Sequence, residues 1–479
     1  MRVVKTISAD ILNAFPPVDV EEAERQLQEE VKNNRRKIVV LDDDPTGVQT
    51  VHDVSVYTNW SEDSIEQGFA EENKLFYILT NSRGLTSDQT ARIHREIAET
   101  VSRVSRRTGT DFMILSRSDS TLRGHYPLEP ELLKEVVEAE TGITIDGEIL
   151  CPFFKEGGRF TIDNIHYVKY GDSLVPAGET EFASDQTFGY QSSDLRDYVE
   201  EKTGGRYKAD QVTCIDLKDL RSMNLAKIEQ QLKDVHGFNK IVVNAIDYVD
   251  IKIFCIALYR VMSQGRHFMF RTAAALVKEL GGISDQPLLT REQMIRNDTQ
   301  KGGVIIVGSH THKTTEQLEE LKTLDRIACV EFNSDLVLDD SAFEEETTRA
   351  TLAIEDILKQ GKTAVAYTRR RLLVVENNTK EEALVRSAKI SEAVQSLVAN
   401  LNTAPSFIIA KGGITSSDIG TKALAVQRAN VMGQICPGIP VWQTGAESRF
   451  PDTPYVIFPG NVGERGTLKE AANILMGTV

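Results

Sequence analysis

The stretch KIVVLDDDPTG (37–47) decides the fold class. Its residues 38–41 are a continuous run of isoleucine, valine and leucine. Such a run is typical of a strand that is buried on both faces of a parallel sheet. The acidic residues and the Pro-Thr-Gly sequence that follow indicate a polar turn at the carboxyl end of that strand.

The same pattern of a short apolar run followed by a polar or glycine-rich turn recurs along the chain. The further runs are KLFYILTNSRG (74–84), FMILSRSDSTLRG (112–124), KIVVNAID (240–247), GGVIIVGSH (302–310), TAVAYTRR (363–370), SFIIAKGG (406–413) and YVIFPGN (455–461). Amphipathic stretches such as 87–107 and 381–401 lie between them. Strands that alternate with helices predict an α/β protein with two open, mostly parallel, doubly wound sheets.

The length of 479 residues predicts two domains, because single domains usually have about 100–200 residues. We expect an N-terminal arm over 1–36, a first domain over 37–265, a hinge or linker over 266–301 and a second domain over 302–479. Residues 151–215 are rich in Gly, Asp and Thr and predict an insertion with short strands.

Composition excludes several classes of function. Acidic residues outnumber basic ones, 71 to 55, for a net charge of −16, which argues against a protein that binds nucleic acid or an anionic membrane. The five cysteines form no CxxC pair, which favours a reducing compartment. No run approaches the roughly 18 apolar residues of a membrane span. We therefore expect a soluble, cytoplasmic protein.

Charged side chains follow the strands of the first half. The carboxylates of Asp42–Asp44 repel one another, so a nearby cation is expected to offset the repulsion. They could orient a substrate hydroxyl, accept its proton or hold Mg²⁺; the alternative is an ordinary capped turn. Arg123 offers a planar fork suited to a carboxylate or phosphate, with Ser120 and Thr121 as further donors. The alternative there is a capped helix start with a surface arginine.

Glycine-rich turns follow the strands of the second half, in GSHTH (308–312), KGGITSSD (411–418) and PGNVG (459–463). Glycine lets backbone N–H groups approach a phosphate closely, although plain turns are the alternative. The GKT sequence at 361–363 is not a phosphate loop, since Asp356 stands where the first glycine of that motif belongs. No dinucleotide fingerprint and no histidine spacing typical of a metal site are present.

Taken in order, these motifs resemble those of the four-carbon acid sugar kinase family over roughly residues 37–470. The resemblance implies an N-terminal domain that binds a small sugar acid, a C-terminal domain that binds ATP, and an active-site cleft between them. The implied reaction is ATP-dependent phosphorylation of threonate, erythronate or an oxo-tetronate, with Mg²⁺ as a further cofactor. It also suggests a homodimer.

The resemblance also implies site residues. The acidic turn of the family falls on Asp43, Asp44, Thr46 and Gly47, and its DSTLRG turn falls on Asp119, Ser120, Arg123 and Gly124. The implied nucleotide contacts are Ser309, Gly412, Gly413, Ile414, Thr415, Ser416, Gly460 and Asn461. Ile414 departs from the pattern, because many relatives have glutamate there.

Our hypothesis for the chemistry assigns the acceptor's proton to Asp44 ahead of Asp43, with Asp119 as the rival base. Arg123, helped by Ser82 and Arg83, would bind the substrate carboxylate, beside Asp119 and Ser120. The sequence assigns no metal ligand. Two other functions stay open: a sensor that binds a sugar acid and a nucleotide without turnover, and a two-domain oxidoreductase.

Overall fold

The computed structural model describes residues 4–296, 301–371, 373, 380–460 and 462–477. The strands are β1 (Ile7–Ser8), β2 (Lys37–Asp42), β3 (Val54–Tyr57), β4 (Leu75–Leu79), β5 (Phe112–Arg117), β6 (Gly147–Cys151), β7 (Arg159–Ile162), β8 (Ile165–Tyr170), β9 (Ser173–Pro176), β10 (Thr213–Ile215), β11 (Asn239–Val243), β12 (Phe268–Thr272), β13 (Val304–Val307), β14 (Ile327–Phe332), β15 (Thr363–Thr368), β16 (Ile408–Lys411), β17 (Arg428–Cys436), β18 (Ile439–Thr444) and β19 (Pro454–Phe458).

The helices separate most of these strands. They are α1 (Val20–Asn33), α2 (Glu62–Ala70), α3 (Ser87–Thr108), α4 (Leu128–Thr141), α5 (Leu195–Lys202), α6 (Leu217–Arg221), α7 (Leu225–Lys233), α8 (Tyr248–Met262), α9 (Ala274–Gly281), α10 (Arg291–Met294), α11 (His312–Leu321), α12 (Asp340–Lys359), α13 (Lys380–Ala399), α14 (Gly413–Asp418) and α15 (Thr467–Met476). None of the described helices is both long and apolar enough to cross a membrane.

The chain divides into two compact units. The first comprises Met1–Gly47 and Asn59–Asp285, and the second comprises Val48–Thr58 and Gln286–Val479. Val48–Thr58 follows the acidic turn directly and supplies β3, which pairs antiparallel with β17 in the second unit. The sequence pattern does not reveal this change of unit, because β3 is short and Ser55 interrupts its apolar residues.

A parallel sheet forms the centre of the first unit, with strand order β10-β11-β6-β12-β5-β2-β4. All six residues of β2 are buried, as expected for a strand covered on both faces. In the second unit the order is β3-β17-β18-β19-β16-β13-β15-β14, and the pairs from β19 to β14 are parallel. The predicted α/β fold is confirmed in both units.

The segments around the two sheets show what the arm, the insertion and the expected linker form. In the arm, α1 packs on α8, where Arg260 forms an ion pair with Glu30 at 2.7 Å. The insertion 151–215 contributes β7–β9 to a small antiparallel sheet. Residues 266–301 include β12, which pairs on both sides within the first sheet, and the buried helix α9.

Candidate functional site

The acidic turn at the end of β2 is neutralised by two arginines from neighbouring strand ends. Arg117 Nη1 lies 3.0 Å from Asp42 Oδ1 and 3.4 Å from Asp43 Oδ1. Arg83 Nη2 lies 2.7 Å from Asp43 Oδ1, and its Nη1 lies 3.1 Å from Asp44 Oδ2. These ion pairs supply the positive charge that three adjacent carboxylates require.

Asp42 is the structural member of the three carboxylates. It is 1% exposed, and its Oδ1 accepts the backbone N–H of Asp44 at 3.3 Å. A Cβ placed on Gly47 would lie 2.0 Å from Asp42 Oδ2, so only glycine lets the turn close over this carboxylate. Burial, partly offset by Arg117, raises the pKa of Asp42 to about 7.

Asp43 and Asp44 differ in access and in basicity. The Asp43 side chain is 2% exposed and that of Asp44 is 16% exposed. Burial raises the pKa of Asp43 despite Arg83. Burial opposes ionisation of Asp44 as well, but Arg83 and the hydrogen bonds from Thr46 outweigh it and lower the pKa of Asp44. Asp44 is thus the ionised and accessible carboxylate of the turn.

The turn after β5 holds Asp119 and Arg123 against each other. Arg123 Nε donates to Asp119 Oδ2 at 2.7 Å, and the Thr121 hydroxyl donates to the same oxygen. Burial would raise the pKa of Asp119, but Arg123, Arg83 and these hydrogen bonds hold it well below its ordinary value. Asp119 is therefore a weak proton acceptor that is already bonded to Arg123.

The other residues predicted to bind the substrate differ in whether their side chains are available to it. Ser82 is fully buried, and its hydroxyl donates to Glu129 Oε1 at 2.6 Å, so it belongs to an internal network. Ser120 is buried, and its carbonyl accepts a bond from His166 Nε2 at 2.7 Å. Arg83 has all three guanidinium nitrogens bonded to Asp43 and Asp44. Arg123 donates hydrogen bonds through its Nε to Asp119 and Thr121, and its Nη1 lies 3.9 Å from Asp185 Oδ2. Neither Nη group forms a hydrogen bond in the described part of the chain, so both are available to a ligand.

Three buried arginines of this unit were missed by the sequence reasoning. Arg117 ends β5 directly opposite Asp42 in the register of β2 and β5, a pairing that needs the strand order. Arg271 donates to the carbonyl of Arg123 at 2.8 Å from β12. Arg159 begins β7. The only signal for Arg159 is its place in the EGGRF segment.

In the second unit, the turns after β13, β16 and β19 come together at the carboxyl ends of adjacent parallel strands. A Cβ on Gly412 would lie 3.1 Å from Ser309 Cβ, and one on Gly460 would lie 3.6 Å from Ser309 Oγ. Gly412 also has φ 120°, which favours glycine. Three of the predicted nucleotide contacts therefore lie in one place.

The remaining predicted nucleotide contacts lie on or beside α14. Gly413 opens this short helix and Ile414 is 73% exposed. Thr415 is 9% exposed and packs beside Gly308. The Ser416 hydroxyl is buried and donates to the carbonyl of Ala410 at 2.8 Å, so it is already used within the protein. Asn461 lies outside the described residues.

Two basic side chains adjoin these turns without a carboxylate partner in the described part of the chain. Lys411 is buried, its Nζ donates to the Pro459 carbonyl at 2.6 Å, and burial lowers its pKa to about 6. Arg370 Nη2 donates to the Ser309 carbonyl at 2.6 Å, while its buried Nη1 has no hydrogen-bond partner among the described residues. Burial also lowers the pKa of Arg370. An anionic ligand would favour the charged form of both side chains.

The comparisons with known proteins assign each half of the chain to a domain family. Residues 38–280 match the model of a sugar-binding N-terminal domain, and residues 304–468 match that of a nucleotide-binding C-terminal domain. This pair of domains, in this order, is the architecture anticipated from the motifs. The chain belongs to the four-carbon acid sugar kinase family.

Solved structures of the same architecture support the fold. Haemophilus influenzae protein HI1011, of the DUF1537 family, is 15% identical to this chain, with a TM-score of 0.58. The match covers 91% of this chain and 100% of that one. A Salmonella typhimurium LT2 protein, named as a candidate tRNA synthase, is 14% identical with a TM-score of 0.62; the match covers 91% of this chain and 98% of that one. No curated protein matches the chain.

The four-carbon acid sugar kinase family implies a magnesium ion, but the acidic turn does not offer a set of free ligands for it. Among the described residues, no three His, Cys, Asp or Glu side chains are grouped as metal ligands. The carboxylates of Asp43 and Asp44 already accept hydrogen bonds from Arg83. We therefore derive no step through a metal held by this turn.

Proposed function

We propose that the protein transfers the γ-phosphoryl group of ATP to a hydroxyl of a small sugar acid, such as threonate, erythronate or an oxo-tetronate. One observation carries this proposal. The glycine turns of the nucleotide-binding unit converge on Ser309 beside Lys411 and Arg370, two basic side chains with no carboxylate partner among the described residues. Phosphate oxygens supply the missing negative charge and accept bonds from backbone N–H groups in such turns.

The sugar-binding unit supplies the acceptor's contacts in this proposal. Arg123 binds the carboxylate through its two Nη groups, because its Nε is held by Asp119 at 2.7 Å. Asp44 orients the acceptor hydroxyl and accepts its proton as the phosphoryl group arrives. Phosphoryl transfer depends chiefly on positioning and charge stabilisation, so an ionised and accessible carboxylate suits this role despite its low basicity. Arg83 fixes the orientation of Asp44.

ADP release tests this function directly. Coupled assays with ATP, Mg²⁺ and a panel of three- to six-carbon sugar acids should give ADP formation that depends on one acid. If no acid supports turnover although ATP and an acid each raise the unfolding temperature, the protein is the sensor that the exposed Ile414 allows. An absorbance change with NAD(P) instead would establish an oxidoreductase.

Replacement of Arg123 by alanine is expected to raise KM for the acid more than tenfold. A hydrogen bond to a charged group contributes about 1.5–3 kcal/mol, and tenfold corresponds to about 1.4 kcal/mol. Steady-state kinetics against the acid measure this change. Arg106→Ala is the matched control, because Arg106 forms an exposed ion pair with Glu140 in the same unit. A KM within about threefold of wild type in Arg123→Ala contradicts the carboxylate contact.

Replacement of Arg370 by alanine is expected to raise KM for ATP by about tenfold, for the same charge-assisted contact, and to leave KM for the acid unchanged. Titration of ATP at saturating acid measures the effect. Arg326→Ala is the control, since Arg326 is exposed and precedes β14 at the amino end of the strand. Equal ATP affinity in Arg370→Ala and wild type would contradict a contact between Arg370 and the nucleotide.

A further inference from the structure

Arg159 is a buried guanidinium with no ion pair to a carboxylate in the described part of the chain. Its residue is 8% exposed, and its Nη1 donates to the carbonyl of Gly157. Its buried Nε has no hydrogen-bond partner among the described residues. Burial lowers the pKa of Arg159. A buried cation without a counter-ion is costly, so its retention is expected where a ligand supplies the negative charge.

The Phe182 ring lies beside two guanidinium groups, that of Arg159 and that of Arg123, which the proposed function assigns to the acceptor's carboxylate. The guanidinium carbons of Arg123 and Arg159 lie 5.0 and 5.6 Å from the centre of the Phe182 ring. Cations at these distances are attracted by the ring and are held in place. The nearby carboxylate of Asp119 is already bonded to Arg123 and Thr121. Arg123 Nη1 also lies 3.9 Å from Asp185 Oδ2, so both of these carboxylates form ion pairs with Arg123 and neither forms one with Arg159.

The local sequence builds this arrangement. A Cβ on Gly157 would lie 2.6 Å from Arg159 Nη1 and 2.4 Å from Phe154 Cδ1. Glycine at 157 therefore leaves the space in which the guanidinium folds back over the turn before β7. The backbone of Arg159 is fixed as well, because β7 pairs with β8 through Arg159 and Val168. Arg159 is thus held by its surroundings rather than free to move to the surface.

We propose that Arg159 binds the carboxylate of the acceptor together with Arg123, and that Arg159 restricts the acceptor to acids. The inference rests on the proposed function and adds a specificity-determining residue to it. A carboxylate offers two oxygens and about four acceptor positions, enough for donors from two guanidinium groups. A neutral polyol of the same length leaves the Arg159 guanidinium buried and unpaired, which is the situation in which a polar site rejects an analogue most strongly.

Binding without ATP tests this inference separately from catalysis. The probes are sodium threonate and sodium erythronate, with threitol and erythritol as their neutral counterparts, measured by calorimetry and by thermal unfolding. Arg159→Met is expected to lower the affinity for the acid by about tenfold or more, since it removes a charged donor. Arg159→Lys keeps the charge but not the planar guanidinium, so it should lose less affinity for the acid than Arg159→Met. Lys169→Met, at an exposed position on β8, should bind the acid as wild type does.

The unfolding temperature of the free protein distinguishes a binding role from a structural one. Removal of a buried cation that forms no ion pair should leave this temperature unchanged or raise it in Arg159→Met, while the shift caused by the acid is lost. Acid affinity within about twofold of wild type in a folded Arg159→Met variant overturns the inference and leaves the proposed kinase intact. Failure of the wild-type protein to bind any of the acids overturns the proposed acceptor and this inference together.

Discussion

Asp44→Asn should lower kcat for phosphorylation of the acid by about 10²–10⁴-fold, the usual contribution of a positioned general base. The amide keeps the shape of the side chain and can still accept the Thr46 N–H bond, which is 2.8 Å long. It removes the charge that orients and deprotonates the acceptor hydroxyl. KM for the acid should change little, because Arg123 holds the carboxylate. Steady-state kinetics with the acid identified by ADP release measure both constants.

The control for this variant is Asp63→Asn, which removes an exposed carboxylate from the first turn of α2. It should leave kcat unchanged. Near-normal kcat in Asp44→Asn contradicts the assignment and transfers the role to Asp119, the rival base, whose side chain is 12% exposed. Asp43 is a weaker alternative, because its carboxylate is enclosed by Arg83 and Arg117.

Gly47→Ala should destabilise the sugar-binding unit by about 3 kcal/mol or more. The new methyl group would lie 2.0 Å from Asp42 Oδ2 and 2.2 Å from Oδ1, so the carboxylate has to move. That displacement separates Asp42 from Arg117 in the buried interior. Overpacking costs about 1–3 kcal/mol, and breaking a buried ion pair costs about 3–5 kcal/mol. Thermal and urea unfolding of the full chain measure the loss.

Gly84→Ala is the matched control, because a Cβ at Gly84 meets no atom within 4 Å in the same unit. Its stability should stay within about 0.5 kcal/mol of wild type. If Gly47→Ala unfolds at the wild-type temperature, the turn is not held closed over Asp42. The arrangement of Asp43 and Asp44 would then need another explanation.

The strands with continuous apolar runs were predictable from the sequence. KIVVL and VIIV form β2 and β13, since buried parallel strands need only a short continuous apolar run. β12 was not predicted, because FMFRT runs directly into the apolar helix α9, and β3 was not predicted, because Ser55 interrupts the apolar residues of VSVY. Their places depend on pairing with strands far away in the chain, which local periodicity does not encode.

The positions of the candidate site residues were predictable where they follow a strand end directly. Asp44, Arg123, Ser309 and Gly412 all follow the apolar runs that became β2, β5, β13 and β16. Side-chain direction was not predictable, so the sequence could not show that Ser82 donates inward to Glu129. Arg159 was missed because its importance comes from burial without a counter-ion, a property of the packed structure.

The central claim is that a phosphoryl group moves from ATP to a sugar acid. The most direct measurement follows the γ-phosphoryl label of ATP into products in the presence of each acid, with phosphorus NMR and mass spectrometry of the product. We predict one sugar acid that gains a single phosphoryl ester in a one-to-one ratio with ADP. Label found only in inorganic phosphate, or retained in ATP with every acid, would contradict the account.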